Sequence, residues 1–586
     1  MHPRYHQYLN PQPQILILDA GGQYCHLIAR KVRDLGVYAE VRASETPAAE
    51  LCAARGLIIS GGPSSVYDVE SPTVDPAIFT HGQAVLGICY GHQLMAHLLG
   101  GEVKKGEKGE YGLATLDLEA TIDPLFTGLS GRQQVWMSHR DLVVSPPEGF
   151  AVVGRTDTCA VAAMANPGHR QYAVQFHPEV VHTTHGKEIL AHFVFGVCQC
   201  EKDWAARHRA PVIEQEIRAA AGSRNVFFFV SGGVDSTVAF ALCTRALGEN
   251  RVRGVYVDTG LMREGETDFV GRMPGISVEC AQEQFLGALE SVTDPEQKRH
   301  IIGEEFVRVQ ERVIASRRLL DEHWILGQGT IYPDTIESGG TTKAALIKTH
   351  HNRVAGIQKL IEAGRIVEPL KSFYKDEVRE VGRELGLPGE LLDRHPFPGP
   401  GLAIRCLCSD FDGAVRQIPE GFVIPVHSVG VQGDSRSYAP VLAIDRMDHI
   451  YATELINRLS NVNRVIAEVA VHAPLAQLRV RSCSLTAERL ARLRRADAAV
   501  RHLSQETGFD HRVWQFPVVL IPLGTPDSPD SIVLRPIHSV DGMTAQSVPM
   551  DPELLHRITK ELLAQHGIAA VFYDLTHKPP ATIEWE

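Results

Sequence analysis

Short β-branched runs alternate with stretches of helical spacing through most of the first four hundred residues. Ile15-Leu16-Ile17-Leu18 ends in Asp19-Ala20-Gly21-Gly22, and helical spacing follows from Gln23 to Leu35. Gly56-Leu57-Ile58-Ile59-Ser60 runs into Gly61-Gly62-Pro63, and Ala84-Val85-Leu86-Gly87-Ile88 runs into Cys89. Apolar runs closed by Gly-rich turns and followed by amphipathic stretches predict βαβ units and a mostly parallel sheet covered by helices. A polar helical stretch, Glu201 to Ala221, precedes a second series. That series opens with Val226-Phe227-Phe228-Phe229-Val230 and continues through Arg253 to Asp258 and Trp324 to Gly327. In such folds the functional groups gather at the carboxyl ends of the strands, where these Gly-rich turns lie.

Past His395-Pro396-Phe397-Pro398-Gly399-Pro400-Gly401 the pattern turns to strands, with a helical segment around Leu490 to Leu503. Val423-Ile424-Pro425-Val426-His427-Ser428-Val429 is similar to Val533-Leu534-Arg535-Pro536-Ile537-His538-Ser539-Val540. An internal repeat and chance similarity between β segments both account for that match. The expected fold class is α/β: two parallel-sheet βα domains followed by an α+β C-terminal region carrying an internal duplication. The expected boundaries are a flexible tail over 1–14 and domains over 15–200, 201–401 and 402–586.

Length agrees with several domains, since 586 residues are too many for one core. The composition, 44% hydrophobic and 22% charged, excludes collagen-like, coiled-coil and disordered classes. A formal charge of −12 argues against general binding to a nucleic-acid backbone. It leaves room for a small anionic substrate in a local basic pocket. No apolar run approaches the roughly 20 residues of a membrane helix, and the polar start, Met1 to Gln14, lacks the apolar stretch of a secretory signal. The 11 Cys form no even framework, and Cys198/Cys200 and Cys406/Cys408 lack the CxxC spacing of zinc sites. A cytoplasmic location is expected.

Gly87-Ile88-Cys89-Tyr90-Gly91-His92-Gln93 sets a Cys between a strand and a helix. Small residues two before and two after permit a sharp turn that exposes the thiol. The helix N-terminus lowers a thiol pKa and offers N–H groups to an oxyanion. Tyr172 to Phe176 reads as a strand ending in His177-Pro178-Glu179, an imidazole with a carboxylate placed to orient it. A lone Cys is more often a buried small hydrophobe; the elbow together with His-x-Glu favours a nucleophile and its base. These motifs, Gly87 to Gln93 and Gln175-Phe176-His177-Pro178-Glu179-Val180, resemble class I glutamine amidotransferases over about residues 15 to 198. The resemblance implies Cys89 as the nucleophile that releases ammonia from glutamine through a glutamyl thioester, His177 as base and Glu179 as orienting acid. It also implies Gly61 and the Tyr90 N–H as oxyanion donors.

Ser231-Gly232-Gly233-Val234-Asp235-Ser236-Thr237 follows a strand and opens an apolar helix. Glycines let backbone amides approach an anion, and hydroxyls with a helix N-terminus complete the cradle. The Walker pattern GxxxxGK[ST] is absent, and Ser-Gly-Gly alone could be a turn. The whole string resembles the PP-loop of ATP pyrophosphatases, which cleave ATP between the α and β phosphates. Further strings are Gly327 to Asp334, Ile347-Lys348-Thr349-His350-His351-Asn352, Arg394 to Gly401, and Tyr573 to Glu586. With these the resemblance to the glutamine-hydrolysing GMP synthetase family covers nearly the whole chain, in the longer form with an extended C-terminal region.

That resemblance implies XMP, ATP and glutamine as substrates, Mg2+ with ATP, and no tightly bound organic cofactor. It implies an ATP site over Ser231, Gly232, Gly233, Val234, Asp235, Ser236 and Thr237, with Asp235 as metal or phosphate organiser. Lys375, in Lys375-Asp376-Glu377-Val378-Arg379, is the candidate to neutralise leaving pyrophosphate; a solvated helix charge is the alternative. XMP contacts carry over onto Arg299, Asp434, Gln515, Lys578, Ile583 and Glu584. Arg299 and Lys578 suit a phosphate dianion. The closing string Ile583-Glu584-Trp585-Glu586 would otherwise read as a frayed terminus. Neither a nucleic acid nor a membrane is an expected partner. The expected state is a monomer or a substrate-dependent homodimer, because a second internal copy could occupy the surface that pairs subunits in the short form. Bound XMP and ATP are expected to order Ile347–Asn352 and Arg394–Gly401 into a lid. The alternatives are another PP-loop amidotransferase, acting on a tRNA or NAD precursor, and a non-catalytic scaffold.

Overall fold

A computed structural model describes residues 12–22, 24–119, 123–129, 131–337, 355–432, 435–459, 461–539, 545–578 and 580–586. Asp434, Ile347–Asn352 and most of the expected tail lie outside the described residues. The chain divides into two compact units. One holds the described residues of Met1–Ile213, Tyr332–Thr342 and Phe373–Val381, and the other holds the rest.

The first unit is built on a nine-stranded sheet. Its strands are β1 (Ile15–Asp19), β2 (Ala39–Ala43), β3 (Gly56–Ile59), β4 (Ala84–Ile88), β5 (Glu102–Leu118), β6 (Arg132–Ser145), β7 (Ala151–Arg155), β8 (Ala163–Asn166) and β9 (Gln171–Val174), in the order β2-β1-β3-β4-β9-β8-β7-β5-β6. Strands β2 to β9 of that order are parallel. β1, β3 and β4 are buried almost throughout, as a sheet covered on both faces requires. Helix α1 (Cys25–Asp34) and helix α2 (Tyr90–Leu98) follow β1 and β4.

The expected helix over Glu201–Ala221 is shorter. After a single tight turn, Ala206–His208, the helix proper spans Ala210–Ala221. Its first residues are committed elsewhere: Asp203 accepts from the Tyr38 N–H at 2.8 Å, and Trp204 stacks on the Tyr38 ring at 4.5 Å.

The second unit carries a five-stranded parallel sheet of β10 (Asn225–Phe229), β11 (Val252–Asp258), β12 (Ile276–Cys280), β13 (Trp324–Gly327) and β14 (Ile366–Val367), ordered β12-β11-β10-β13-β14. β10 lies between β11 and β13, so the turn after it sits where the strand order reverses. Helix α3 (Val234–Leu247) starts there, and α4 (Pro295–Ser316) is capped by the Asp294 side chain.

The remainder is organised around a seven-stranded sheet, with a three-stranded and a two-stranded sheet beside it. β15 (Arg416–Ile418) edges β16 (Gly421–Gln432), β17 (Ser435–Ile444) and β18 (Arg464–Val471); the far half is β19 (Val518–Ile521), β20 (Asp530–Leu534) and β21 (Ile568–Asp574). The order is β15-β16-β17-β18-β21-β20-β19. Each half is a hairpin, a helix and a third strand parallel to the hairpin's second: β16-β17-α5-β18 with α5 (His449–Arg458), and β19-β20-α7-β21 with α7 (Pro552–Leu563). The long helix α6 (Ala487–Glu506) lies between them in sequence. The halves meet through the antiparallel pair β18 and β21. Ile466↔Asp574 and Glu468↔Phe572 flank Ala467↔Tyr573, so a local twofold passes through the middle pair.

The topology is therefore duplicated, but the short motif match is out of register. Val423–Val429 lies on the first strand of its hairpin, whereas Val533 and Leu534 lie on the second strand of theirs. The two hairpins themselves, β16-β17 and β19-β20, correspond strand for strand.

Candidate active sites

In the first unit the turn from β4 to α2 forces Cys89 to φ 52°, a conformation strained for any residue with a Cβ. The flanking glycines make that turn possible. A Cβ on Gly87 would stand 2.5 Å from the Gly91 carbonyl oxygen, and one on Gly91 would stand 2.3 Å from that of Ile59. Cys89 is 5% exposed, and its thiol faces the Ser138 carbonyl at 3.6 Å. As the first helical residue, Tyr90 presents an N–H with no intrahelical acceptor. Gly61 stands against the same centre: a Cβ there would lie 3.1 Å from His177 Cε1 and 3.5 Å from Cys89 Cβ.

His177 follows β9, and its Nδ1 meets Glu179 Oε1 at 2.7 Å. Both side chains are buried. Burial acts to lower the imidazole pKa, but the Glu179 carboxylate and the Cys89 sulfur outweigh it and hold the group well above 6.5. The backbone of His177 is fixed as well. Its N–H donates to the Trp136 carbonyl, and its own carbonyl accepts from Thr183 Oγ1 at 2.6 Å. The Tyr24 ring packs edge-on at 5.3 Å. Cys89, His177, Glu179 and Gly61 thus come together.

Tyr24, Thr183 and the Ser138 carbonyl were missed in the sequence. Two of these contacts run through backbone groups, and the third is a ring edge, so none carries a spacing signal. Beneath the elbow, burial and the charge of His139 push the His92 imidazole down to about 3, so it is neutral at any physiological pH.

In the second unit Gly232 takes φ +78° and Gly233 caps α3. Ser231 Oγ meets Ser236 Oγ at 3.0 Å, while Ser236 Oγ and Thr237 Oγ1 donate to the Gly233 carbonyl at 3.1 and 2.9 Å. Ser231 and Gly233 are exposed and Asp235 lies in the first helical turn, so the cradle opens to solvent at a helix N-terminus. Gly329 closes against it: a Cβ there would lie 2.8 Å from the Ser236 N. Arg394 and Glu266, absent from the expected set, brace the loop from behind. Arg394 donates to the Gly232 carbonyl at 3.3 Å and pairs with Glu266 at 3.4 Å.

The segment Arg394–Gly401, expected as part of a lid, is anchored. Besides the Arg394 bonds, His395 Nε2 meets the Asp510 carbonyl, Gln515 Nε2 donates to the Pro396 carbonyl, and Leu402 N–H donates to that of Leu261. Lys375 opens the helix Lys375–Glu384 and falls in the first unit, whereas Ser231–Thr237 falls in the second.

Among the described residues no group of three or more His, Cys, Asp or Glu side chains could hold a metal ion. A Mg2+ ion carried by ATP phosphates needs only one or two carboxylates, and Asp235 at the cradle fits that need.

The expected XMP contacts fall into two groups. Arg299 donates to the Glu586 carbonyl, the Ile583 carbonyl accepts from Arg535 Nε at 2.9 Å, and Glu584 takes a two-point pair from Arg405 at 2.9 and 2.7 Å. These three share the Ile583–Glu586 segment, which is pinned and not frayed: Trp585 is fully buried, and Lys298 Nζ bonds Glu586 Oε2 at 2.5 Å. Gln515 and Lys578 lie on separate bridges, with Ile537 and Ala545.

Comparison with known proteins adds the following. Residues 16–197 match the model of class-I glutamine amidotransferases, 206–268 that of NAD synthase, and 503–585 that of the GMP synthase C terminal domain. A protein of Leptospira interrogans named probable GMP synthase (glutamine-hydrolyzing) is 40% identical, the match covering 98% of this chain and 99% of the relative. Proteins named GMP synthase (glutamine-hydrolyzing) from Streptomyces coelicolor and Thermobifida fusca are 40% and 41% identical, covering 98% of this chain and 98% of each relative.

Proposed function

The chain belongs to the family of glutamine-hydrolysing GMP synthases, and on that premise we propose that it aminates XMP to GMP with ammonia taken from glutamine. The overall change is XMP, ATP, glutamine and water to GMP, AMP, pyrophosphate and glutamate. The observation that carries this reading is the presence in one chain of a strained nucleophile elbow with its His–Glu pair and an open anion cradle at a helix N-terminus.

At the first site the Cys89 sulfur attacks the glutamine amide carbon while the Gly61 and Tyr90 N–H groups hold the oxyanion. His177, oriented by Glu179, is the base that takes the Cys89 thiol proton; as imidazolium it gives that proton to the departing ammonia, and as base again it takes a proton from the water that cleaves the thioester to glutamate and free thiol. At the second site Ser231, Gly232, Gly233, Val234, Ser236 and Thr237 cradle ATP phosphates, and Asp235 takes a share of the Mg2+ that offsets their charge. The xanthine 2-oxygen attacks the α-phosphorus, and the bond to the leaving pyrophosphate breaks, with Lys375 proposed to neutralise it. Ammonia then attacks C2 and AMP leaves.

Arg299, Asp434, Gln515, Lys578, Ile583 and Glu584 are the proposed XMP contacts. Residues 15–200, 201–401 and 402–586 are the proposed amidotransferase, ATP pyrophosphatase and XMP-binding domains. The NAD synthase match ends at residue 268 and covers the PP-loop stretch, whereas the matches to GMP synthase relatives cover 98% of the chain.

Cys89→Ala tests the division of labour. The variant is expected to lose glutamine-dependent GMP formation and keep formation from added ammonium. Loss of both in a folded variant would contradict it.

A further inference from the structure

β6 is the last strand of the nine-stranded sheet, so the backbone groups on its outer side have no further strand to pair with. The loop that starts at His177 takes that place. The His177 N–H donates to the Trp136 carbonyl at 3.0 Å, and the Thr184 N–H donates to the Gln134 carbonyl at 3.1 Å. Between these two bonds the Trp136 N–H donates to Thr183 Oγ1 at 3.1 Å. A side-chain hydroxyl therefore stands where a neighbouring strand would offer a carbonyl. The same hydroxyl donates to the His177 carbonyl at 2.6 Å, so one atom ties β6 to the residue that carries the imidazole.

The other polar groups of Thr183 are committed to the same loop. Its N–H donates to the Val180 carbonyl at 3.2 Å, and its carbonyl accepts from the Gly186 N–H at 3.1 Å. Thr183 is 4% exposed, so water does not replace a hydroxyl lost there. A hydroxyl has a single proton, and here the His177 carbonyl takes it. Nothing is left to donate to glutamine, and any effect on the reaction runs through His177.

β6 also reaches the nucleophile. Two residues along the strand from Trp136, the Ser138 carbonyl faces the Cys89 thiol at 3.6 Å. One strand thus serves as a common rail for the nucleophile and its base, and Thr183 sets the base on it. The Glu179 carboxylate is buried and meets His177 through Oε1, while its Oε2 has no hydrogen-bond partner among the described residues. That carboxylate has no second anchor and takes its place from the backbone of the 177–186 loop.

We propose that Thr183 is a positioning residue for glutamine hydrolysis, its hydroxyl fixing the His177 backbone against β6 and so holding the imidazole at the Cys89 thiol. The inference rests on the reading of Cys89 and His177 as nucleophile and base. The test supplies the full chain with XMP, ATP and Mg2+ and measures glutamate release from glutamine and, separately, GMP formation from ammonium. Thr183→Val keeps the outline of the side chain and removes the hydroxyl. Its kcat for glutamine hydrolysis is expected to fall about 10- to 100-fold, the scale of a base misplaced by up to about 1 Å, with KM for glutamine changed less than about threefold. Thr183→Ser, which keeps the hydroxyl, is expected to stay within about threefold of the wild-type kcat. GMP formation from ammonium, which makes no use of His177, is expected to persist in Thr183→Val and shows that the variant is folded. Where Thr183→Val does not fold, Thr183→Ala carries the same expectation. A wild-type kcat in the variant without the hydroxyl overturns the proposal, and so does Thr183→Ser impaired as much as Thr183→Val. Equal loss of the ammonium reaction assigns Thr183 to the fold alone and also overturns it. In each of these cases glutamate release by the wild type keeps the wider reading standing; a wild type that hydrolyses no glutamine overturns both.

Discussion

At the residue scale, the His177 imidazole is held by three competing effects. Burial disfavours its charge, and the Glu179 carboxylate at 2.7 Å and the Cys89 sulfur restore it, leaving the pKa well above 6.5. The raised pKa favours the imidazolium, the form that can donate to departing ammonia. Glu179→Gln removes the largest favourable charge. Glutamine hydrolysis should fall by about 10²–10⁴-fold, and the alkaline limb of its pH profile should move to lower pH. An unshifted limb would mean that Glu179 acts by shape and not by charge. Stability follows with a defined sign. Because the folded-state pKa is raised, the stabilisation is fully present below about 6.5 and is lost as pH rises through the elevated value. The difference in Tm between wild type and Glu179→Gln should accordingly shrink toward alkaline pH.

At the element scale, the two strand-to-helix turns place the chemistry, and glycine makes each of them fit. Gly91→Ala would set a Cβ 2.3 Å from the Ile59 carbonyl oxygen, which belongs to β3 and has no room to retreat. Overpacking of this kind costs about 1–3 kcal/mol, and the displaced elbow should abolish glutamine-dependent synthesis while ammonium-dependent synthesis continues. Equal loss of both would show that the elbow supports more than the thiol. These turns were legible in the sequence because apolar runs closed by Gly-Gly or Gly-x-Cys-x-Gly report local geometry. The braces were not. Arg394 reaches Gly232 across 162 positions, and α6 grips the β11 loop through carbonyl oxygens of Gly260 and Met262. Backbone acceptors are the same at every residue, so such contacts leave no mark in the pattern. The repeat shows a third limit: similar β strings marked the duplication but aligned the first strand of one hairpin with the second strand of the other.

At the scale of the whole molecule, the C-terminal sheet joins two like halves along β18 and β21, and the join is locked by charge. Asp574 is fully buried between Arg464 at 2.9 Å and Arg535 at 2.7 Å, and it also accepts from Trp585 Nε1 at 3.0 Å. The two arginines hold its carboxyl below the usual range despite burial. Asp574→Asn would strand two buried guanidinium groups and should lower the unfolding free energy by about 3–5 kcal/mol; chemical denaturation that shows less than 1 kcal/mol would contradict that role. Because the central strand edges are satisfied within one chain, sedimentation without nucleotides should give the mass of a single chain, and a stable dimer would contradict this. The account as a whole turns on the purified chain supplied with XMP, ATP and Mg2+ and given glutamine or ammonium as nitrogen donor. GMP and AMP in equal amounts from both donors is the predicted result. AMP released without GMP from either donor would contradict it.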